Sequence, residues 1–412
     1  MKQNNLFLKN NIQKNYLKAS YQKKLNKEFN KTLIKLEKDT EDTKKTVNVL
    51  SNNFKFNFKI KDLKKFKKYK TIAIMGMGGS ILGAEAIYNF LEKKIKKNII
   101  FFDNLDEEKL KEFRKRNNFE NVLFFIISKS GDTIETLANL LILNVIKKNK
   151  KNIIIITEKN NNTLHSISKK YNLFCIEHKK YIGGRFSVLS EVGLVPAYLM
   201  GLDIFNLRLR VLDFFKGKDK SILRKSAIAL SGLLNSKKIN NLVFINYSPK
   251  LEKFLFWCQQ LIAESLGKKG NGFLPLVSSA PKDHHSLLQL YLDGPKDKLF
   301  YIFSSNEISK EKINSKKITN SCNFINKKNL STLKKSQKSA LLKAFKKNKI
   351  PFREFRINRI KEDVLGKLFS YFIIETILIG NLIKVDPFNQ PAVEQVKKFT
   401  KNFLAKSTKN YF

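Results

Sequence analysis

The chain has 412 residues, 42% of them apolar, with only 17 Gly and 8 Pro. It can therefore bury substantial cores and is neither a peptide-sized module nor a disordered or fibrous chain; at about 150 residues per domain it makes two or three domains. Lys and Arg number 80 against 35 Asp and Glu, a formal net charge of +45, but the lysines are spread throughout, as in KKNKKNII at 147–154 and NSKKINN at 235–241. That spread reads as solvated faces or as a diffuse field that draws in a phosphorylated small substrate, and not as a nucleic-acid stripe.

Residues 1–50 read as a polar helical arm, with apolar residues at helical spacing in LIKLEKDTEDTKKTVNVL. The N-terminus carries no apolar core followed by a cleavage site, so a secretory signal is not expected and the protein is expected in the cytoplasm. From Thr71 short β-branched and aromatic runs alternate with helical stretches: TIAIM at 71–75, NIIFFD at 98–103, NVLFFII at 121–127, NIIIIT at 152–157 and LFCI at 173–176. This is the rhythm of βαβ units and a parallel sheet covered by helices. It begins again with NLVFIN at 241–246, KLFYIF at 298–303 and FREFRI at 352–357. The expected α/β units are thus 51–210 and a smaller one at 211–385, followed by a helical arm at 386–412 that resumes at Ala392 after the turn KVDPFNQP. The longest apolar stretch, 368–383, is broken by Ser370, Glu375 and Asn381 and is too short to span a membrane, so no membrane partner is expected. Cys175, Cys258 and Cys322 lack the spacing of a disulfide framework or zinc site.

Five segments carry candidate chemistry. MGMGGSILGAE at 75–85 lies between a strand and a helix. Its Gly76, Gly78 and Gly79 permit close backbone approach, and Ser80 stands near free helical N–H groups. It is either a tight turn or a ligand loop, and Ile81 breaks the dinucleotide spacing. ISKSGDTIETL at 127–137 sets Ser128, Ser130, Thr133 and Lys129 around one helix start, which is a phosphate cradle or ordinary capping. Asp132 must point away from an anion there or be offset by Lys129. YIGGRFSVLSEVG at 181–193 places Arg185 behind two glycines, suited to an anion. In CQQLIAESLGKKGNGFLP at 258–275, Gln260 and Glu264 share a helix face. Leu261, Ile262, Ala263 and Leu266 are expected to desolvate Glu264 as a base; the alternative is an exposed glutamate. APKDHHSLLQLYLDGP at 280–295 holds two of only four histidines, His284 and His285.

Together with FNQPAVEQVK at 388–397, these segments resemble the glucose-6-phosphate isomerase family, in the same order and over residues 70–400. The resemblance implies two sugar-isomerase α/β domains, each a mainly parallel sheet between helices, with helical terminal arms. It implies phosphate or substrate binding by Gly79, Ser80, Ser128, Lys129, Ser130, Thr133 and Gln260. Catalysis would fall to Glu264 as the base, His285 and Lys397 for ring opening, and Arg185 for the charged intermediate, with no metal or organic cofactor. It further implies a homodimer with His285 given across the interface and the terminal arms clasping the partner. A relative that also accepts mannose 6-phosphate and a sugar-phosphate-sensing regulator are the alternatives.

Overall fold

The computed structural model describes residues 6–12, 19–315 and 320–407. Among the described residues, ten strands form two five-stranded sheets. In chain order they are β1 (Leu6–Asn11), β2 (Thr71–Gly76), β3 (Asn98–Phe102), β4 (Val122–Ile127) and β5 (Ile153–Thr157), then β6 (Phe174–Glu177), β7 (Asn241–Asn246), β8 (Leu274–Ser279), β9 (Lys298–Ser305) and β10 (Phe352–Ile357). The first sheet, β3-β2-β4-β5-β6, is parallel throughout. The second runs β8-β7-β9-β10-β1 and is parallel except for β1. Apart from β1, each sheet starts with its second-placed strand, adds the next on one side, and then builds outwards on the other. The second is therefore a topological copy of the first, with antiparallel β1 standing where β6 stands.

The side-chain period of two sorts the core. In β4, Leu123, Phe125 and Ile127 join the large core shared by both sheets, while Val122, Phe124 and Ile126 join a smaller one on the outer face. In β7, Leu242 and Phe244 point to the shared core and Val243 and Ile245 to a third cluster. Burial on both faces is why these strands are continuous apolar runs. The Glu362–Leu382 helix is buried on nearly every side inside the shared core, with the Phe369 ring 4.8 Å from Trp257. No helix among the described residues is long and apolar enough to cross a membrane.

Two elements differ from the sequence expectation. The N-terminal arm is not helical throughout, since Leu6–Asn11 is a strand paired antiparallel with β10, from Leu6 opposite Ile357 to Asn11 opposite Phe352. Its Ala19–Asp39 helix packs on the chain's own core. Leu25, Phe29, Leu33 and Leu36 form one stripe buried in the chain's own core, and Asn26 accepts from Arg224 Nε at 2.9 Å. The other addition is β8, an edge strand whose Leu274 and Leu276 face outwards. The Pro391–Ser407 helix forms where expected and is exposed along its length.

The two halves meet through helices. The Leu82–Leu91 helix of the first packs on the Glu252–Leu266 helix of the second, where Lys253 Nζ donates to buried Glu85 at 3.1 Å. This pairing brings the turn after β2 against the polar face of the second helix.

Candidate active site

The turn after β4 gathers hydroxyls at the start of the Ile134–Leu143 helix. The Ser128 and Thr133 hydroxyls lie 2.8 Å apart, and Gly131 N–H donates to Ser128 Oγ at 3.1 Å. Thr133 is the N-cap of the Ile134–Leu143 helix, yet its side chain accepts no capping bond. Capping therefore does not account for these hydroxyls. Asp132 turns away: its Oδ1 accepts from the Thr163 hydroxyl at 2.6 Å and the Thr163 N–H at 3.0 Å. Lys129 also turns aside, donating to the Lys180 carbonyl at 2.7 Å, with Glu158 at 3.7 Å. Burial lowers the Lys129 pKa, with Glu158 opposing. Ser130 is exposed and takes only a 3.4 Å bond from Asp132 N–H.

The turn after β2 lies against the Arg185 segment without a gap. A Cβ on Gly79 would sit 2.2 Å from the Gly184 carbonyl carbon and 2.5 Å from Arg185 N. Gly78 has φ +51°, and a Cβ there would meet Gln260 Nε2 at 2.7 Å. Position 79 thus requires glycine for space, and at Gly78 a side chain would carry the strain of a left-handed backbone and push Gln260 aside. Ser80 closes this turn ahead of the Leu82–Leu91 helix, whose start no side chain caps.

Arg185 is the hub and is 2% exposed. Its Nε donates to Ser265 Oγ at 2.8 Å; one terminal nitrogen donates to Glu264 Oε2 at 3.1 Å and Gln390 Oε1 at 2.7 Å; the other donates to the Pro387 and Asn389 carbonyls at 2.6 and 3.2 Å. All five N–H groups are thus held by protein. Burial pulls the guanidinium below its ordinary pKa, and the Glu264 carboxylate works against that. Gln260 Nε2 donates to the other Glu264 oxygen at 2.9 Å, while Gln260 Oε1 is buried without a partner among the described residues.

The expectation that aliphatic neighbours desolvate Glu264 is not met. Leu261, Ile262 and Leu266 face the core from the same helix, whereas Glu264 lies between Gln260 and Arg185 with its side chain 30% exposed. Adjacent positions on a helix point about 100° apart, so sequence neighbours do not set its surroundings.

The histidines separate clearly. His284 is half-buried, its Nε2 2.7 Å from the Tyr247 hydroxyl, and burial followed by the neighbouring His285 lowers its pKa. His285 is exposed and makes no hydrogen bond or ion pair among the described residues. It is not joined to the Arg185 cluster within this chain. Nor is Lys397, which pairs with Glu394 at 2.7 Å on an exposed face. It lies seven residues beyond Gln390, about 10 Å along the Pro391–Ser407 helix.

Residues 27–411 match the family model for phosphoglucose isomerase. The chain belongs to the phosphoglucose isomerase family. A glucose-6-phosphate isomerase from Methanocaldococcus jannaschii is 34% identical over 356 residues, covering 82% of this chain and 86% of that one. The Campylobacter jejuni glucose-6-phosphate isomerase is 32% identical over 357 residues, covering 82% and 86%. Among solved structures, a hypothetical protein from Thermus thermophilus superposes with a TM-score of 0.81 at 22% identity, covering 97% of this chain and 100% of that one. A glucose-6-phosphate isomerase from Chlamydia trachomatis gives 0.69 at 18% identity, covering 84% and 72%. Both confirm the fold.

In this member of the phosphoglucose isomerase family, sequence reasoning missed the residues that hold Arg185. Ser265 adjoins Glu264, and the Pro387, Asn389 and Gln390 contacts lie in the DPFNQP turn, whose two prolines signalled a helix break and not an arginine site. Phe388 in that turn packs on Phe186, ring centres 5.6 Å apart. Lys268 Nζ ties the same turn down by donating to the Asp386 carbonyl at 2.5 Å.

Proposed function

We propose that this chain interconverts glucose 6-phosphate and fructose 6-phosphate by proton transfer between C2 and C1. The observation that carries the reading is the hydrogen-bonded set Gln260, Glu264 and Arg185, lodged against the Gly78–Gly79 turn, in a chain of this family. Glu264 takes the proton from C2 and returns it to C1 through a cis-enediol, with both carboxylate oxygens already oriented by Arg185 and Gln260. Arg185 supplies positive charge beside the developing oxyanion. Because its N–H groups are filled, it acts by field and by positioning Glu264 unless substrate displaces one of its partners. Gln260 Oε1 is left to accept from a sugar hydroxyl. Ser128 and Thr133, with Ser80, Ser130 and Gly79 alongside, hold the phosphate, so that binding remote from the reacting carbons orients them. Lys129 contributes charge from behind the cradle.

His285 and Lys397 open the ring by moving a proton between the ring oxygen and the C1 hydroxyl. The exposure of His285, with Leu274, Leu276, Leu287 and Leu290 also exposed on the edge strand and the segment after it, supports its donation to a second copy of the chain.

The test is interconversion of the two hexose phosphates by purified protein beside Glu264→Gln, with mannose 6-phosphate as a competing substrate. A loss of about 10²- to 10⁴-fold in kcat in the variant is expected. Inactivity of the folded wild type would overturn the reading in favour of a sugar-phosphate receptor. For donation across an interface, mixing Glu264→Gln with His285→Asn chains should restore about a quarter of wild-type activity, since half of the exchanged dimers then carry one intact site.

A further inference from the structure

A second polar cavity lies in the second sheet, away from the Arg185 cluster. Its volume is about 610 Å³. The ends of β9 and β10 and the start of the Leu330–Lys347 helix line it, contributing Ser304, Thr332, Lys334, Lys335, Lys338 and Arg356. Its place in the fold is informative. In the first sheet the Ser128–Thr133 cradle sits between the end of β4 and the start of the helix leading to β5. In the topological copy, β9 stands for β4 and β10 for β5, and the cavity occupies the corresponding junction. Both are the carboxyl ends of parallel strands facing a helix N-terminus, where ligands of open α/β sheets bind.

The charges of the cavity are unbalanced. The Glu307 carboxylate in its wall is already paired with Lys250, and Lys338, 9% exposed, is held by Glu354 at 2.8 Å and Ser304 Oγ at 3.0 Å. Lys334, Lys335 and Arg356 have no carboxylate partner among the described residues, and Arg356 Nε is shut from solvent with no hydrogen-bond partner there. The Arg356 guanidinium instead lies over the Phe7 ring of β1, 4.6 Å from its centre. Three cations without a carboxylate partner fit a compact multivalent anion; the Ser331 and Thr332 hydroxyls each donate to the N-cap Asn329 Oδ1 at 2.8 Å, and the Thr332 hydroxyl must turn from it to reach a ligand.

We propose that this cavity is a second ligand site, for a small phosphate monoester, separate from the isomerase centre. Its phosphate lies between Lys334, Lys335 and the Thr332 hydroxyl, with Arg356 behind it.

The test uses pyridoxal 5′-phosphate as a lysine-reactive phosphate probe on the full chain, with borohydride trapping and peptide mapping. Lys334 or Lys335 should label at least about tenfold faster than exposed lysines elsewhere. Inorganic phosphate should suppress that labelling while sodium chloride at equal ionic strength does not, because nonspecific attraction is screened alike by both salts. In Thr332→Val, which keeps every lysine, phosphate protection should weaken severalfold while kcat for the hexose phosphates is unchanged. Labelling of Lys334 and Lys335 at the rate of other lysines, or protection by chloride equal to that by phosphate, would overturn the proposal. Peptide mapping reads this site apart from the Ser128–Thr133 cradle, so binding at the isomerase centre cannot mimic it.

Discussion

The Tyr247 hydroxyl and His284 Nε2 are 2.7 Å apart, a bond that ties one of two adjacent histidines to β7's end and leaves the other, His285, in solvent. The two should therefore behave oppositely. His285→Asn is expected to lower turnover of cyclic glucose 6-phosphate by about 10²-fold or more. His284→Asn should retain most activity and lose about 1 kcal/mol of stability with the Tyr247 bond. Turnover measured beside urea unfolding separates the effects, and a larger activity loss in His284→Asn would reverse the assignment.

Asp132 is satisfied by Thr163 and lies outside the cradle. Asp132→Asn should leave KM for either hexose phosphate within about twofold, since no carboxylate faces the anion. Ser128→Ala with Thr133→Val should raise KM at least about tenfold, as two hydroxyl contacts to a charged group are lost. Steady-state kinetics on the three proteins decides this; a KM lowered severalfold by Asp132→Asn would mean that the carboxylate does repel the phosphate.

Gly79→Ala places a methyl group 2.2 Å from the Gly184 backbone, which cannot yield as a side chain can. The two turns must separate, and Arg185 moves with the second. The expected cost is about 2–4 kcal/mol in stability and at least about tenfold in kcat, because reacting geometry tolerates little displacement. Wild-type unfolding and turnover in this variant would contradict the close approach.

His178 is 2% exposed, and burial followed by the Lys129 charge lowers its pKa to about 4. Its Nδ1 donates to the Lys179 carbonyl at 3.0 Å. Between pH 4 and the ordinary histidine value of about 6.5 the unfolded chain binds this proton and the folded chain does not. The stabilisation from keeping His178 neutral is complete above that window. It is lost as pH falls through it, by about 3 kcal/mol. Urea unfolding at pH 7 and 4.5 should show a pH-dependent loss that is markedly smaller in His178→Gln; an equal loss in both proteins would refute the assignment to this ring.

The sequence was readable where one local rule decided the outcome. Strands β4 and β5 are unbroken apolar runs because both faces are buried, and the glycines at 78 and 79 mark a left-handed backbone and a backbone contact with no room for a Cβ. β8 was unreadable because it is an edge strand with Pro275 inside it and its leucines outwards, the reverse of the usual signal. The setting of Glu264 was misread because contacts across 79 residues of sequence, from Arg185, define it. The carbonyls of Pro387 and Asn389 that hold Arg185 carry no side-chain signature at all.

β1 has its hydrogen-bonding partner at residues 352–357, so it waits for a segment more than 340 residues further along the chain. The second sheet cannot be finished until β10 is made, and the β10 edge stays open until β1 reaches it. Such a long closure places this pairing among the late, slow events of folding. The first sheet, complete by residue 177, has no such dependence. The order in which the halves are written is also the order in which they can mature, with the β1–β10 pairing as the final seam.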